Sequence, residues 1–336
     1  MTTPNKKSSI LLILKVLEEY SDEDHYLTHQ DIIDKVDNDY GIELERKSVA
    51  NSIQLLIELG YDINANPSGK GGWALYDRQF SPSEARFLID AVFSSRIIPA
   101  KTARSLASKI QQGFSRYGRR EYIYVSKSVE LSRSDNYEVM LNIEILSEAI
   151  AKGKCVSFQL RGYTEDGEPC LRRNGLRYVA SPYFIVNNFG RYYLLGCPNY
   201  GEPKMVDYRI DYMVAARIEE EPDFVPSEKV VGEDFSIAKY LDEHIYLLHG
   251  EMIDAVIRVE APVAKHLRFL YDWFGKRASI YKEKGDGHIY AKVRCDASSL
   301  FYWLMQYGDE FTLVEPEDRV NEIRDYLKKY LEKYGG

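Results

Sequence analysis

The stretch LRYVASPYFIVNNFGRYYLLGCPNYGEPKMVDYRIDYM, residues 176–213, decides the fold that we predict for the middle of this chain. Residues 183–186 and 191–195 are rich in the β-branched and aromatic side chains that strands favour. The intervening Asn187-Asn188-Phe189-Gly190 supplies the Asn and Gly that a tight hairpin needs at positive φ. Residues 204–211 then alternate apolar with polar side chains, which is the pattern of a half-buried strand. The stretch therefore predicts a run of antiparallel strands.

One arginine of this stretch is predicted to face away from the core. Arg209 alternates with the apolar residues of its strand, so it is expected beside the tyrosine pair Tyr192-Tyr193 of the preceding hairpin. A guanidinium beside phenol rings can hold an anion and stack a planar ring. The alternative is that the tyrosines are core packing and that Arg209 pairs with Asp207 or Asp211.

Three short motifs carry a family resemblance: Ser181-Pro182-Tyr183, Gly190-Arg191-Tyr192-Tyr193-Leu194 and Tyr208-Arg209-Ile210-Asp211. Their order resembles the WYL domain, a small Sm-like or SH3-like β-barrel of bacterial transcription regulators. Tyr192-Tyr193-Leu194 occupies the place of the tripeptide that names the domain. Many members carry additional arginines where this chain has Val206 and Tyr212.

The resemblance implies a sensing domain whose candidate effector is a nucleotide or a nucleic-acid fragment. Aromatic rings can stack on the bases of such a ligand, and arginines can bind its phosphates. Ser157 joins the site because it alternates with the apolar residues of a predicted strand at 154–160. The predicted effector-binding residues are Ser157, Arg177, Tyr178, Tyr192, Tyr193 and Arg209.

The amino-terminal part predicts three amphipathic helices. Apolar residues recur at helical spacing in residues 6–19, Thr28 and Asp31 form a capping-box-like start for a second helix, and residues 45–59 form a third. Residues 62–76 follow as a strand, a glycine-rich turn and a strand. This order is typical of a winged helix-turn-helix.

In a winged helix the third helix enters the major groove with its amino-terminal residues at base edges and phosphates. The predicted residues that bind double-stranded DNA are Arg46, Lys47, Ser48, Asn51 and, at the tip of the wing, Lys70. The alternative is a protein-interaction module in which these residues form a solvated face. The segment also resembles the winged helix that precedes WYL domains, with Gly41-Ile42-Glu43 before the third helix and Gly60-Tyr61-Asp62 after it.

The glycine-rich turn also matches GxGxxA, a loose dinucleotide fingerprint, over residues 69–74. That fingerprint requires a helix after it, whereas residues 73–76 continue as an alternating strand. We therefore interpret these glycines as a turn.

Two further helices are predicted at residues 81–96 and 103–118. They resemble the helical linker of WYL-domain regulators, which often helps to pair two protomers, so a homodimer is expected. The alternative is that these helices pack on the winged helix.

The carboxy-terminal part alternates strands and helices from residue 254, which predicts an α+β sandwich. Trp303-Leu304, Tyr307-Gly308-Asp309 and Val314-Glu315-Pro316 resemble the carboxy-terminal extension that accompanies WYL domains. The predicted fold is an α+β multidomain protein. Its parts are a winged helix-turn-helix (1–78), a helical linker (79–136), a WYL β-barrel (137–220), an extended, proline-containing link (221–250) and the carboxy-terminal extension (251–336).

Composition narrows the class of protein. The 336 residues are 45% hydrophobic and 29% charged, which is ordinary for a soluble globular protein. No apolar run approaches the ~20 residues of a membrane-spanning helix and no signal sequence is evident, so we expect a cytoplasmic protein without a membrane partner. The four cysteines include no CxxC pair, which argues against a zinc ribbon. The net charge of −8 excludes a chain that coats nucleic acid over its whole surface, but allows a local basic face.

Catalytic signatures such as GxSxG, HExxH and GxxxxGK[ST] are missing from the sequence, and its six histidines are scattered. We therefore predict no enzyme, no metal site and no cofactor. The favoured function is a DNA-binding transcription regulator whose WYL domain senses an effector. The alternative is an accessory protein that binds nucleic acid or protein and regulates a defence system, CRISPR or anti-phage.

Overall fold

The computed structural model describes residues 9–119, 134–248, 250–283 and 287–335, and the chain divides into two compact units, residues 1–140 and 141–336. Residues 120–133 of the predicted linker and the predicted turn at Gly285-Asp286 lie outside the described residues. Among the helices that the structure describes, none is both long and apolar enough to cross a membrane.

The first unit begins with a three-helix module: α1 (Ser9–Tyr20), α2 (His29–Tyr40) and α3 (Arg46–Glu58). Its core is the apolar face of each helix, including Ile13, Ile32 and Ile53. The predicted capping box starts α2, since the Thr28 hydroxyl accepts a hydrogen bond from the Asp31 amide and the Asp31 carboxylate accepts one from the Thr28 amide.

A β-hairpin follows the three helices. Strands β1 (Ile63–Ala65) and β2 (Trp73–Leu75) pair antiparallel, and Leu27 makes a bridge to Trp73 on the other side of β2. The segment after the glycines is thus a strand, as predicted, which removes the dinucleotide fingerprint.

Helices α4 (Pro82–Ser94) and α5 (Ala100–Gln111) complete the described part of this unit. The predicted start of α4 is confirmed, because Ser81 and Glu84 form a reciprocal capping box and Pro82 is the first helical residue. The residues after α5 hold the three-helix module: Arg119 donates two hydrogen bonds to the Glu19 carboxylate (3.0 and 2.6 Å) and the Ser115 hydroxyl donates one to Asp22 (2.5 Å).

The second unit opens with α6 (Val139–Lys152) and a six-stranded antiparallel sheet. The strand order is β4-β3-β5-β6-β7, and the last strand β8 returns to pair with β3, so that the sheet curls. The strands are β3 (Cys155–Tyr163), β4 (Pro169–Leu171), β5 (Tyr178–Asn188), β6 (Arg191–Pro198), β7 (Val206–Arg209) and β8 (Met213–Glu219).

The structure differs from the sequence expectation at the end of β7. The third run of the quoted stretch was predicted to stay extended through residue 211, but the strand ends at Arg209 and Ile210–Tyr212 form a 3-10 turn. The chain must turn here because β8 pairs with β3 rather than with β7.

The segment 221–250 is also more ordered than the extended link that we predicted. It contains two short helices, α7 (Glu228–Val231) and α8 (Ile237–Glu243). Ile237, Tyr240 and Leu247 pack on the β5–β6 face. Pro222 and Pro226 exclude regular structure only from the first part of the segment, while the Ser236 side chain caps α8.

The carboxy-terminal domain is an α+β arrangement, as predicted. Its antiparallel sheet has the order β10-β11-β9-β12, and Trp303, Phe274 and Phe311 lie in its core. The elements are β9 (Met252–Val259), α9 (Val263–Phe274), β10 (Ser279–Lys282), β11 (Ile289–Asp296), α10 (Ala297–Gln306), β12 (Phe311–Glu315) and α11 (Glu317–Lys333).

Candidate nucleic-acid and effector sites

The start of α3 presents the predicted DNA-binding side chains to solvent. Because Val49, Ile53 and Leu56 form the buried face of this helix, its other positions point outward. Arg46, Lys47 and Asn51 are exposed, and Ser48 is half-buried. These four residues therefore lie on one accessible helix terminus.

An open groove of about 450 Å³ runs beside this terminus. Lys47, Ser48 and Asn51 line one side of it, and Ser9 and Ile10 at the start of α1 line the other. The groove combines the Lys47 cation with hydroxyl and amide groups, the kinds of side chain that contact phosphates and base edges in protein–DNA complexes, and the Glu45 carboxylate also lines it.

Lys70 lies at the exposed tip of the β1–β2 hairpin. The Asn66 side-chain oxygen accepts hydrogen bonds from the amide and the hydroxyl of Ser68, which shapes the turn, and Gly69, Gly71 and Gly72 adopt positive φ. The tip is therefore a polar turn that carries one cation.

Two of the predicted effector residues form a polar cluster between β3, β5 and β8. The Ser157 hydroxyl donates a hydrogen bond to Glu219 and accepts one from Arg177 (2.6 Å). Arg177 also donates twice to the Ala215 carbonyl (3.0 and 3.1 Å), and Arg217 donates to Glu219 (2.9 Å). Two guanidinium groups thus converge on one hydroxyl and one carboxylate.

The contacts in this cluster shift the pKa values of two of its members. Hydrogen bonds from Ser157 and then from Arg217 lower the pKa of the Glu219 carboxyl. Burial, followed by repulsion from Arg217, lowers the pKa of Arg177. Glu219 therefore stays ionised and partly neutralises two neighbouring cations.

Arg209 forms a second, separate group with Asp211. Its Nε and Nη2 donate to the two carboxylate oxygens (3.1 and 2.5 Å), and its guanidinium lies over the Tyr212 ring at 4.3 Å. Although burial acts to lower it, the hydrogen bonds and charge of Asp211 raise the pKa of Arg209. The alternative stated for Arg209, pairing with an acidic neighbour, describes this geometry.

Tyr193 pairs with Arg209 across the β6–β7 ladder, but its side chain is only 8% exposed. It packs with Val186, Leu195 and Leu247 under the segment that carries α8. A planar ligand could stack on Tyr193 only after this packing opened. Tyr192, on the other face of β6, is half-buried and pairs with Asn187.

Tyr178 corrects an expectation. It was predicted at the rim of the effector site next to Arg177, but it is buried and its ring packs against Phe158 (5.9 Å) and Tyr208 (6.3 Å). Because its ring lies in the core of the sheet, Tyr178 does not line the surface that Arg177 shares with Ser157.

The contacts thus bring Ser157 and Arg177 together, and bring Tyr193 near Arg209. Sequence reasoning missed Arg217 and Glu219, which complete the Ser157 cluster. They were missed because Ser157 and Arg217, which pair across β3 and β8, lie 60 residues apart in the sequence. The signal that could have found them is the alternation of polar Arg217 and Glu219 with apolar Ile218, which places both polar residues on one face of a strand.

Two family models match the second unit. Residues 142–218 match the WYL domain, and residues 251–331 match the WCX domain. The first match contains most of the curled sheet, with Ser157, Arg177, Arg209 and Arg217 but not Glu219, and the second contains the carboxy-terminal sheet and most of its helices.

Solved structures similar to the chain include proteasome accessory factor B/C (PafBC) of Arthrobacter aurescens, with 15% identity and a TM-score of 0.29 over 100% of this chain and 50% of that one. The chain therefore spans about half the length of PafBC. A CRISPR Cas-related protein matches with 14% identity and a TM-score of 0.39, over 98% of this chain and 84% of that one. No curated protein matches the chain.

Proposed function

The chain belongs to the WYL-domain regulator family, and from this premise we propose that it is a cytoplasmic, DNA-binding transcription regulator whose WYL domain senses an anionic effector. In this proposal residues 1–78 are a winged helix-turn-helix and residues 79–136 a helical linker. The WYL domain (137–220) is an Sm-like barrel, and residues 251–336 are its carboxy-terminal extension.

The observation that carries the proposal is the exposed terminus of α3 beside a hairpin with a cationic tip. Three helices followed by a hairpin, with Leu27 bridging to β2, form the arrangement expected of a winged helix. Arg46, Lys47, Ser48 and Asn51 supply a guanidinium, an ammonium, a hydroxyl and an amide at the end that enters the major groove. Arg46 and Asn51 can read base edges, while Lys47 and Lys70 can contact phosphates.

The cluster around Ser157 supports the sensing half of the proposal. Arg217 and the Ser157 hydroxyl donate to the Glu219 carboxylate, and Arg177 donates to the same hydroxyl. A phosphate group that displaced this carboxylate would therefore meet two cations and a hydroxyl donor already placed. A nucleotide or a short nucleic-acid fragment has this chemistry. Tyr192 pairs with Asn187, eight residues along β5 from the Val179 that pairs with Ser157, so its ring does not belong to this phosphate site.

We further propose that the regulator is a homodimer, because paired half-sites require two recognition helices about one turn of duplex apart. Sedimentation of the full chain should then give twice the chain mass of 38.9 kDa. A strict monomer at micromolar concentration, with and without DNA, would contradict the dimer.

The experiment that tests the whole proposal is selection of duplexes from a random pool by the full chain, followed by affinity measurements at several salt concentrations. We expect a pseudo-palindromic sequence and an affinity that falls steeply with salt, because bound phosphates release counterions. Recovery of no shared sequence would leave the protein as an accessory factor without an operator.

A further inference from the structure

The turn between β5 and β6 has an unfavourable residue at a demanding position. Asn188 pairs with Arg191, so only Phe189 and Gly190 form the loop, and both have positive φ (49° and 75°). Two-residue hairpin loops with this geometry favour Asn or Gly at the first position. A phenylalanine there must adopt the left-handed backbone conformation, which bulky residues rarely occupy.

Burial does not offset this conformation, because Phe189 is 69% exposed. Its ring instead lies 4.9 Å from the ring of Trp273, between centroids, at an interplanar angle of 45°. Trp273 belongs to α9 of the carboxy-terminal domain. The tip of the hairpin thus touches the neighbouring domain through one aromatic pair.

Trp273 is itself held firmly. The Tyr246 ring packs against it edge-on at 5.0 Å, and its indole Nε1 donates a hydrogen bond to the Tyr307 hydroxyl (3.2 Å). A second link lies next to it, since the Asn188 amide donates to the Ile245 carbonyl (3.2 Å). The hairpin tip therefore meets a fixed surface rather than a mobile side chain.

We propose that Phe189 is a strut that locks the β5–β6 hairpin of the WYL domain to the WCX domain. The unfavourable backbone at Phe189 is retained because the ring can reach Trp273 only from this position of the turn. Displacements of β5 or β6 are then passed to α9, so that the two domains respond as one body. This inference goes beyond the proposed function and depends on neither DNA nor an effector.

Five variants of the full chain test the strut: Phe189→Asn, Trp273→Leu, the double variant of these two, the control Phe189→Leu, and Phe189→Leu combined with Trp273→Leu. Asn suits the turn but removes the ring, whereas Leu removes the ring and keeps the unfavourable backbone. Phe189 is exposed and Trp273 is only half-buried, so each variant is expected to fold. Thermal unfolding by calorimetry and hydrogen exchange of residues 187–191 are the two measurements.

We expect Phe189→Asn to lower the unfolding midpoint when Trp273 is present and to raise it by about 2 °C when Trp273 has been replaced, because only the backbone cost then remains to be relieved. In the parent chain, Phe189→Leu should lower the unfolding midpoint. In the Trp273→Leu background, it should not raise the midpoint. Hydrogen exchange at the tip should be faster in Phe189→Asn and in Trp273→Leu than in the parent chain. The double variant should show no further increase. Equal shifts of the midpoint for Phe189→Asn in both backgrounds would overturn the strut.

Discussion

At the scale of single residues, Arg209 and Arg217 of the curled sheet have charges already matched by the carboxylates of Asp211 and Glu219. The partner of Arg209 is the more buried of the two, since the Asp211 side chain is only 10% exposed. Removing one member of such a pair leaves the other charge desolvated and unpaired, which costs more than the pair itself contributes.

Arg209→Ala should therefore lower the free energy of unfolding by about 2 kcal/mol, because the Asp211 carboxylate loses two hydrogen bonds. The double variant Arg209→Leu with Asp211→Leu is expected to be more stable than Arg209→Ala, since it leaves no unpaired charge. Urea unfolding of the three proteins measures this. If Arg209→Ala is as stable as the parent, the pair is not structural.

Glu219 is expected to make the stability of the protein depend on pH. Because hydrogen bonds from Ser157 and then Arg217 lower its pKa, the ionised carboxylate contributes stability above the ordinary glutamate pKa, and this contribution is lost as the pH falls through the lowered value. Glu219→Gln should cost about 1 kcal/mol at pH 7 and less at pH 3. Urea midpoints at the two pH values test this, and a constant difference between them would exclude the titration of Glu219 as its cause.

Arg177 is the residue on which the sensing proposal depends most. Titration calorimetry with adenosine monophosphate and with a short oligothymidylate should show at least a tenfold loss of affinity in Arg177→Gln, since a charge-assisted contact is lost. The exposed Arg191→Gln is a matched control that should bind like the parent. Equal affinity of Arg177→Gln and the parent would remove Arg177 from the site.

At the scale of elements, local patterns predicted most of what the structure contains. Capping residues such as Thr28 and Ser81 fixed the starts of α2 and α4, because the signal and the contact both lie within four residues. Pairings between distant strands were beyond this reasoning. The end of β7 and the role of Glu219 depend on which strand β8 joins, and alternation within one strand does not reveal that.

The β1–β2 hairpin gives a prediction that belongs to the element. If its tip contacts a phosphate, Lys70→Ala should lower affinity for all duplexes alike and reduce the slope of log affinity against log salt by about 1. Lys101→Ala, an exposed lysine on α5, is the control and should leave the slope unchanged. An unchanged slope for Lys70→Ala would show that the hairpin does not touch the DNA backbone.

At the scale of the whole molecule, the order of the parts was more informative than any one motif. The WYL and WCX domains match at 142–218 and 251–331, in the order that the resemblance implied. The segment between them was the least predictable part of the second unit, because the longer of its two short helices, α8, packs on the β5–β6 face through residues distant in sequence from that face.

The central claim is that the α3 terminus recognises a DNA sequence. Its most direct test is the ratio of affinities for the selected duplex and for a scrambled duplex at the same salt concentration, in the parent chain and in Asn51→Ala. We predict a ratio of about 10³ or more for the parent, and a reduction of about tenfold in Asn51→Ala with little change in affinity for the scrambled duplex. Equal binding of both duplexes by the parent chain would contradict the account.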